Sequence, residues 1–145
     1  MKPSAEELAL LGLSEGDPFP AGGQTLHLTL RSGSGSARSW TALFSEVFRT
    51  QFGVHLHLGT LNLWAEEPIR WENPMQLRVA GAAGEFCPVI LEERAIGVAF
   101  RGNRAMPYFL EILSPVYLRA RLPDSRDEAT VKVRLLGGEL LARAV

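Results

Sequence analysis

Apolar and polar positions alternate in short runs along this chain, and turn residues interrupt them often. The pattern predicts many brief strands around one longer helix. Thr25-Leu26-His27-Leu28-Thr29-Leu30 alternates strictly, with three leucines on one side, as a half-buried strand does. Trp40, Leu43, Phe44, Val47, Phe48 and Phe52 recur near the spacing of one helical face, and Gly53 is a natural stop. Ser39 and Trp40 are also compatible with a strand, in which case the helix begins only after Trp40. Alternation resumes over 54–58 and over 61–64, and further strands are expected at 75–80, 85–91, 96–101, 108–113 and 130–135. Ser114-Pro115 has the N-cap and first-turn residues of a short C-terminal helix whose apolar side is Val116, Leu118 and Leu122. At the other end, Ser4 with Glu7 forms a capping box ahead of Leu8, Leu10, Leu11 and Leu13, and the Gly/Pro-rich stretch 16–23 reads as a linker. The expected organisation is a helical extension and linker over 1–23 followed by a mainly β domain over 24–145. So many short strands with one main helix favour a small barrel over a βαβ fold.

Bulk properties narrow this picture only a little. The 145 residues suit one domain with a real core. A hydrophobic fraction of 46% with 21% charged residues is that of a globular protein. The formal net charge of -1 gives no electrostatic reason to expect nucleic acid as a partner. Cys87 is the only cysteine, which excludes an intramolecular disulfide and fits a reducing cytoplasm. No apolar run approaches the roughly 20 residues that span a bilayer, so no membrane partner is expected. Oligomeric state is not encoded in any of these features.

Five stretches carry candidate chemistry. In Gly59-Thr60-Leu61-Asn62-Leu63 an extended backbone points Thr60 and Asn62 to one face, about 7 Å apart at their α-carbons, and the leucines to the other. The polar pair is either a solvent-facing edge or a set of neutral oxygens for a hard cation that arrives with a polyphosphate, since neither residue is a carboxylate. Ser32-Gly33-Ser34-Gly35-Ser36-Ala37-Arg38 is either a flexible surface turn or a nest of N–H groups for anionic oxygens, with Arg38 adding charge. His55 and His57 share a strand face and, with His27, raise a zinc alternative that alternation on one strand does not guarantee. Cys87, between Phe86 and Pro88, reads as a small core residue. Glu111, set in an apolar strand, either faces solvent or points into a cleft where it could hold or deprotonate a substrate hydroxyl.

Taken together, these stretches resemble the CTP-dependent riboflavin kinase family best known from archaea. The resemblance runs from about Thr25 to Leu135. It rests on the Ser-Gly-x-Gly-x-x-Arg loop at 32–38, the helix ending before Gly53, Gly-Thr-Leu-Asn-Leu at 59–63, and Glu111-Ile112-Leu113-Ser114-Pro115-Val116-Tyr117-Leu118-Arg119. It implies a six-stranded cradle-loop barrel that transfers the γ-phosphoryl group of CTP to the 5′-hydroxyl of riboflavin, giving FMN and CDP. It further implies nucleotide contacts from Ser34, Gly35, Ser36, Ala37, Arg38 and Ser39, and from Val116, Tyr117, Leu118 and Arg119. Thr60 and Asn62 would hold Mg2+, Glu111 would lie at the flavin as orienter or base, Arg38 would stabilise phosphate oxygens, and Asn103 falls near a flavin-contacting threonine. The chain departs from the family pattern at Ala37 (usually glycine), Ser39 (usually aromatic) and Leu56-His57-Leu58 (usually a Pro-Tyr run). A non-catalytic barrel that binds a nucleotide or another small ligand is the rival expectation.

Overall fold

The computed structural model describes residues 2–33, 37–79, 82–102 and 107–142, the side chains at 37–40, 79 and 82 excepted. Its elements in chain order are α1 (Ala5–Leu10), β1 (Gln24–Arg31), α2 (Ala37–Phe52), β2 (Leu61–Trp64), β3 (Met75–Val79), β4 (Ala82–Leu91), β5 (Ala95–Arg101), β6 (Phe109–Leu113) and β7 (Thr130–Leu135). The sheet runs β3-β4-β5-β6-β2-β1-β7, and β7 pairs back onto β4. Six of the strands thereby close into an antiparallel barrel, with β3 as an extra strand on its flank. The long β4 makes closure possible: its first half pairs with β3, and Val89, Ile90 and Leu91 pair with Leu135, Arg134 and Val133 of β7.

Strand alternation divides the core in two. Leu28, Leu30, Leu61, Leu63, Cys87, Val89, Leu91, Ala99, Leu110, Ile112, Val131, Val133 and Leu135 fill the barrel. Phe86, Ile90, Ile96 and Val98 face outward, where Phe44, Phe48 and Phe52 of α2 and Leu8, Leu10 and Leu11 at α1 cover them. Burial of these large side chains, each worth about 1.5–3 kcal/mol, holds both helices to the barrel wall. Phe44 meets Phe86 edge-on with ring centroids 5.3 Å apart and Phe100 at 5.1 Å. Leu43, expected on the buried face of α2, is 49% exposed; the covered stripe runs through Thr41, Phe44, Phe48 and Phe52.

The N-terminal extension is fastened to the barrel by polar bonds as well. Ser4 and Glu7 form the expected capping box. Glu7 also accepts hydrogen bonds from Ile96 N at 2.9 Å and from Arg121 Nη1. Downstream, Arg134 donates to the carbonyls of Pro20 at 2.8 Å and Gly22 at 2.7 Å, which pins the linker along β7.

Three expectations are corrected. The helix starts at Ala37 rather than near Trp40, so Ala37, Arg38 and Ser39 are helical rather than part of the loop. None of these residues after Gly35 opposes the α conformation. Residues 54–58 form no strand; Gly53 (φ 70°) and Gly59 (φ 105°) turn the chain at either end, and His57 N bonds to Ser114 O at 2.8 Å instead of to a ladder. The short C-terminal helix is a single 3-10 turn, Leu118–Arg121. Ser114 does not cap it, because its hydroxyl donates to Ile96 O at 2.9 Å and accepts from Val116 N at 3.3 Å.

Candidate functional site

The site lies on the outer face of the barrel where β1, β2 and β6 meet. Leu61 and Leu63 point inward and are buried, which turns Asn62 and Trp64 outward. Asn62 stands directly opposite Arg31 on one side and Glu111 on the other, and Glu111 is opposite Phe100, itself opposite Phe86. Paired residues of adjacent strands share a face, so Arg31, Asn62, Glu111 and Phe100 form one row. The two motifs that sequence separates by nearly fifty positions are thus cross-strand neighbours.

Thr60 precedes β2 and donates from Oγ1 to Asn62 Oδ1 at 3.2 Å. Two adjacent ligands of an octahedral magnesium, each about 2.1 Å from the ion, lie about 3 Å apart, so this oxygen pair fits two neighbouring coordination positions. Both oxygens are neutral, so the remaining ligands must bring the charge. Gly33, two residues past the end of β1, closes the site: a Cβ there would stand 2.1 Å from Asn62 Nδ2. The start of the Ser/Gly loop therefore rests on the Asn62 amide. If the Asn62 amide helps to seat a cation, Gly33→Ala is expected to push it aside and to weaken Mn2+ binding in the presence of a nucleoside triphosphate by on the order of tenfold with little loss of fold, read by water-proton relaxation and by the melting temperature.

Beside Thr60 opens a small cleft of about 80 Å³, bounded by His57, Leu58, Gly59 and Thr60 on one side and Ser114, Val116, Tyr117, Leu118 and Arg119 on the other. Tyr117 is 55% exposed and its ring lies 5.3 Å from that of His57, giving the mouth an aromatic surface. Arg119 ties this wall to the loop. Its guanidinium donates to Ser125 O at 2.6 Å, to Ser32 Oγ at 3.2 Å and to Asp127 Oδ1 at 3.3 Å, while Ser32 donates to Asp127 at 2.9 Å. The Ser32 hydrogen bond, then Arg119, holds the Asp127 carboxyl below its usual range.

Glu111 carries the clearest electrostatic signature. Burial among its neighbours raises its pKa from 4.5 to about 7. A carboxyl so placed changes charge near neutrality, as a general base requires.

Of the residues singled out by sequence, Thr60, Val116, Tyr117, Leu118 and Arg119 line the cleft, and Asn62 and Glu111 adjoin one another beside it. Ser34, Gly35, Ser36 and Asn103 lie outside the described residues. Ala37, Arg38 and Ser39 form the first turn of α2, and their side chains also lie outside the described set. The histidines do not converge: His55 meets Glu6, His57 meets Tyr117, and His27 on β1 pairs with Lys132 of β7. Among the described residues no three His, Cys, Asp or Glu side chains gather as a metal cluster. Cys87 is buried in the barrel, which pushes its thiol up to about 12. Sequence reasoning missed His57 and Leu58 as cleft residues and the Ser32–Asp127–Arg119 tether. The Ser-Gly-x-Gly pattern signalled Gly33, whereas nothing local to the turn at Asp127 signalled its partners.

No protein-family model and no curated protein sequence matches the chain. Among the described residues no helix is long and apolar enough to cross a membrane.

Proposed function

We propose that this protein is a phosphotransferase of the CTP-dependent riboflavin kinase type, which moves the γ-phosphoryl group of CTP to the 5′-hydroxyl of riboflavin and releases FMN and CDP. The observation that carries this reading is the register of β2 against β6, which seats Asn62, with Thr60 bonded to it, directly beside Glu111. The donor cleft, the cation pair on β2 and the base on β6 then lie next to one another. The cleft beside Thr60 takes the nucleoside of CTP, and the tethered loop at Ser32 and Gly33 borders its phosphates. Thr60 and Asn62 hold Mg2+, which supplies neutralisation of the charge that develops on the phosphate oxygens. Glu111 accepts the proton of the attacking hydroxyl, and its partly buried carboxylate gains basicity from the loss of water around it. Arg38, from the first turn of α2, is assigned to the phosphate oxygens.

Alignment and charge neutralisation dominate phosphoryl transfer, so this sparse set of residues is sufficient. The test is to incubate the full chain with riboflavin, Mg2+ and each nucleoside triphosphate in turn and to look for FMN. FMN and CDP formed with CTP support the proposal. Binding of CTP without FMN formation from any donor overturns it in favour of a non-catalytic nucleotide-binding barrel.

A further inference from the structure

The cleft beside Thr60 has two walls, 57–60 and 114–119. His57 N donates to Ser114 O at 2.8 Å across it, and the His57 and Tyr117 rings lie 5.3 Å apart. Each wall is also tied to a third element, α1, and the two ties start from adjacent residues. On the first wall, the segment 54–58 hangs between two positive-φ glycines, Gly53 and Gly59, with Val54 and Leu56 packed on the outer core. Glu6 Oε2 accepts a hydrogen bond from His55 N at 2.7 Å, and Glu6 Oε1 lies 3.4 Å from the His55 ring Nδ1. On the second wall, Arg121 ends the 3-10 turn of Leu118 and Arg119, and its buried guanidinium donates to Glu7. The capping box fixes Glu7 against Ser4, and Leu8, Leu10 and Leu11 are buried, so both carboxylates project from a firmly seated element. Behind the two walls an open groove of about 520 Å³ runs along the start of α1, and His57 and Val116 line groove and cleft alike. Those two partitions have free space on both sides.

We propose that α1 is a clamp that sets the width of this cleft, with Glu6 and Glu7 as positioning residues that hold one wall each. At about 80 Å³ the cleft is small, so a slight displacement of either wall changes what it admits. An unclamped wall has to be ordered by the ligand, which weakens binding without removing any contact to the ligand itself. Resting on the kinase reading, the ligand affected is the nucleoside triphosphate. α1, over 5–10, lies outside the stretch that carries the family resemblance. The two arms differ in kind. Glu7 has no solvent exposure and its loss endangers the fold, whereas Glu6 is 42% exposed and can be replaced without stranding a buried charge. Charge alone predicts the opposite sign at Glu6, because removing a negative group near an anion site favours a triphosphate. Weaker binding on its loss therefore identifies the hydrogen bond as the cause.

The experiment measures amide hydrogen exchange over 54–60 and 118–121, and calorimetric binding of Mg·CTP, for the full chain, Glu6→Ala and Glu6→Gln, each checked by thermal melting. Glutamine loses the charge just as alanine does but keeps a carbonyl oxygen for His55 N. Glu6→Ala is expected to speed exchange over 54–60 by about tenfold, to leave 118–121 unchanged and to weaken Mg·CTP by about 3- to 10-fold. Its melting temperature is expected within about 4 °C of the parent's, and Glu6→Gln within about twofold of the parent in both exchange and affinity. In Glu7→Gln the faster exchange is expected at 118–121 instead; should that variant not fold, the Glu6 pair decides alone. Unchanged exchange over 54–60 in Glu6→Ala, or faster exchange with undiminished affinity, overturns the clamp. Equal weakening by alanine and glutamine assigns the effect to charge and overturns it too. A parent chain that binds no Mg·CTP and forms no FMN removes the kinase reading, and the exchange comparison then still decides whether α1 holds the walls.

Discussion

On the proposed kinase reading, replacing Glu111 by glutamine is expected to lower turnover on riboflavin by about 10²- to 10⁴-fold and to abolish the rise of kcat/KM through neutral pH. A carboxylate proposed as the base would act only when ionised, and burial raises the Glu111 pKa to about 7. The parent rate should therefore climb between about pH 6 and pH 8 and level off above. Stability should move the opposite way. A carboxyl whose pKa is raised by folding stabilises the native state fully below its unfolded value of 4.5, and that contribution is lost as pH rises through 7. Discounted by about half for the solvent-exposed part of the group, the ionised form costs about 1–2 kcal/mol at pH 8. Glu111→Gln removes the cost, so its melting temperature should exceed the parent's by about 2–8 °C at pH 8 and match it near pH 4. A solvated surface glutamate would produce neither the activity loss nor the crossover.

The largest stability effect is expected far from the chemistry, at Glu7. This carboxylate has no solvent exposure, and it receives Ser4 N at 2.8 Å, Ile96 N at 2.9 Å and the Arg121 guanidinium. Arg121 in turn donates to Lys2 O at 2.8 Å and Arg94 O at 3.1 Å. Removing one member of a buried ion pair strands the other charge and costs about 3–5 kcal/mol. Glu7→Ala should thus lower the melting temperature by about 6–20 °C for a chain of this size. Salt should change the difference little, because buried pairs are weakly screened. A loss below about 1 kcal/mol would show that α1 is not locked to the barrel by this pair. Arg121 ends the 3-10 turn that carries Leu118 and Arg119, so on the proposed reading nucleotide affinity should fall along with stability.

Much of this architecture was legible in the sequence, for reasons that can be named. Leu26, Leu28 and Leu30, and again Leu61 and Leu63, alternate because one face of each strand fills the barrel, and period-two burial needs no tertiary information to be seen. The capping box at Ser4 and Glu7 was equally local. The alternating stretch at 54–58 misled because Val54 is buried for packing beneath α2, while its neighbours follow a path fixed by two positive-φ glycines. Ser114 misled because a serine before proline signals a helix start, yet its hydroxyl is claimed by Ile96 O across the sheet. For the site, Thr60 and Asn62 were visible as a polar pair on one strand face. Their junction with Glu111 and Gly33 was not, since register between distant strands depends on the closed barrel as a whole.

The most direct measurement is the enhancement of water-proton relaxation by Mn2+, standing in for magnesium, with CTP present and with the full chain or its Thr60→Ala/Asn62→Ala variant. If the two side-chain oxygens seat the cation of the nucleotide beside Glu111, the parent chain raises the relaxivity of Mn·CTP and the folded double variant does not. Equal enhancement by both proteins would contradict that placement, and with it the assignment of this barrel face to phosphoryl transfer.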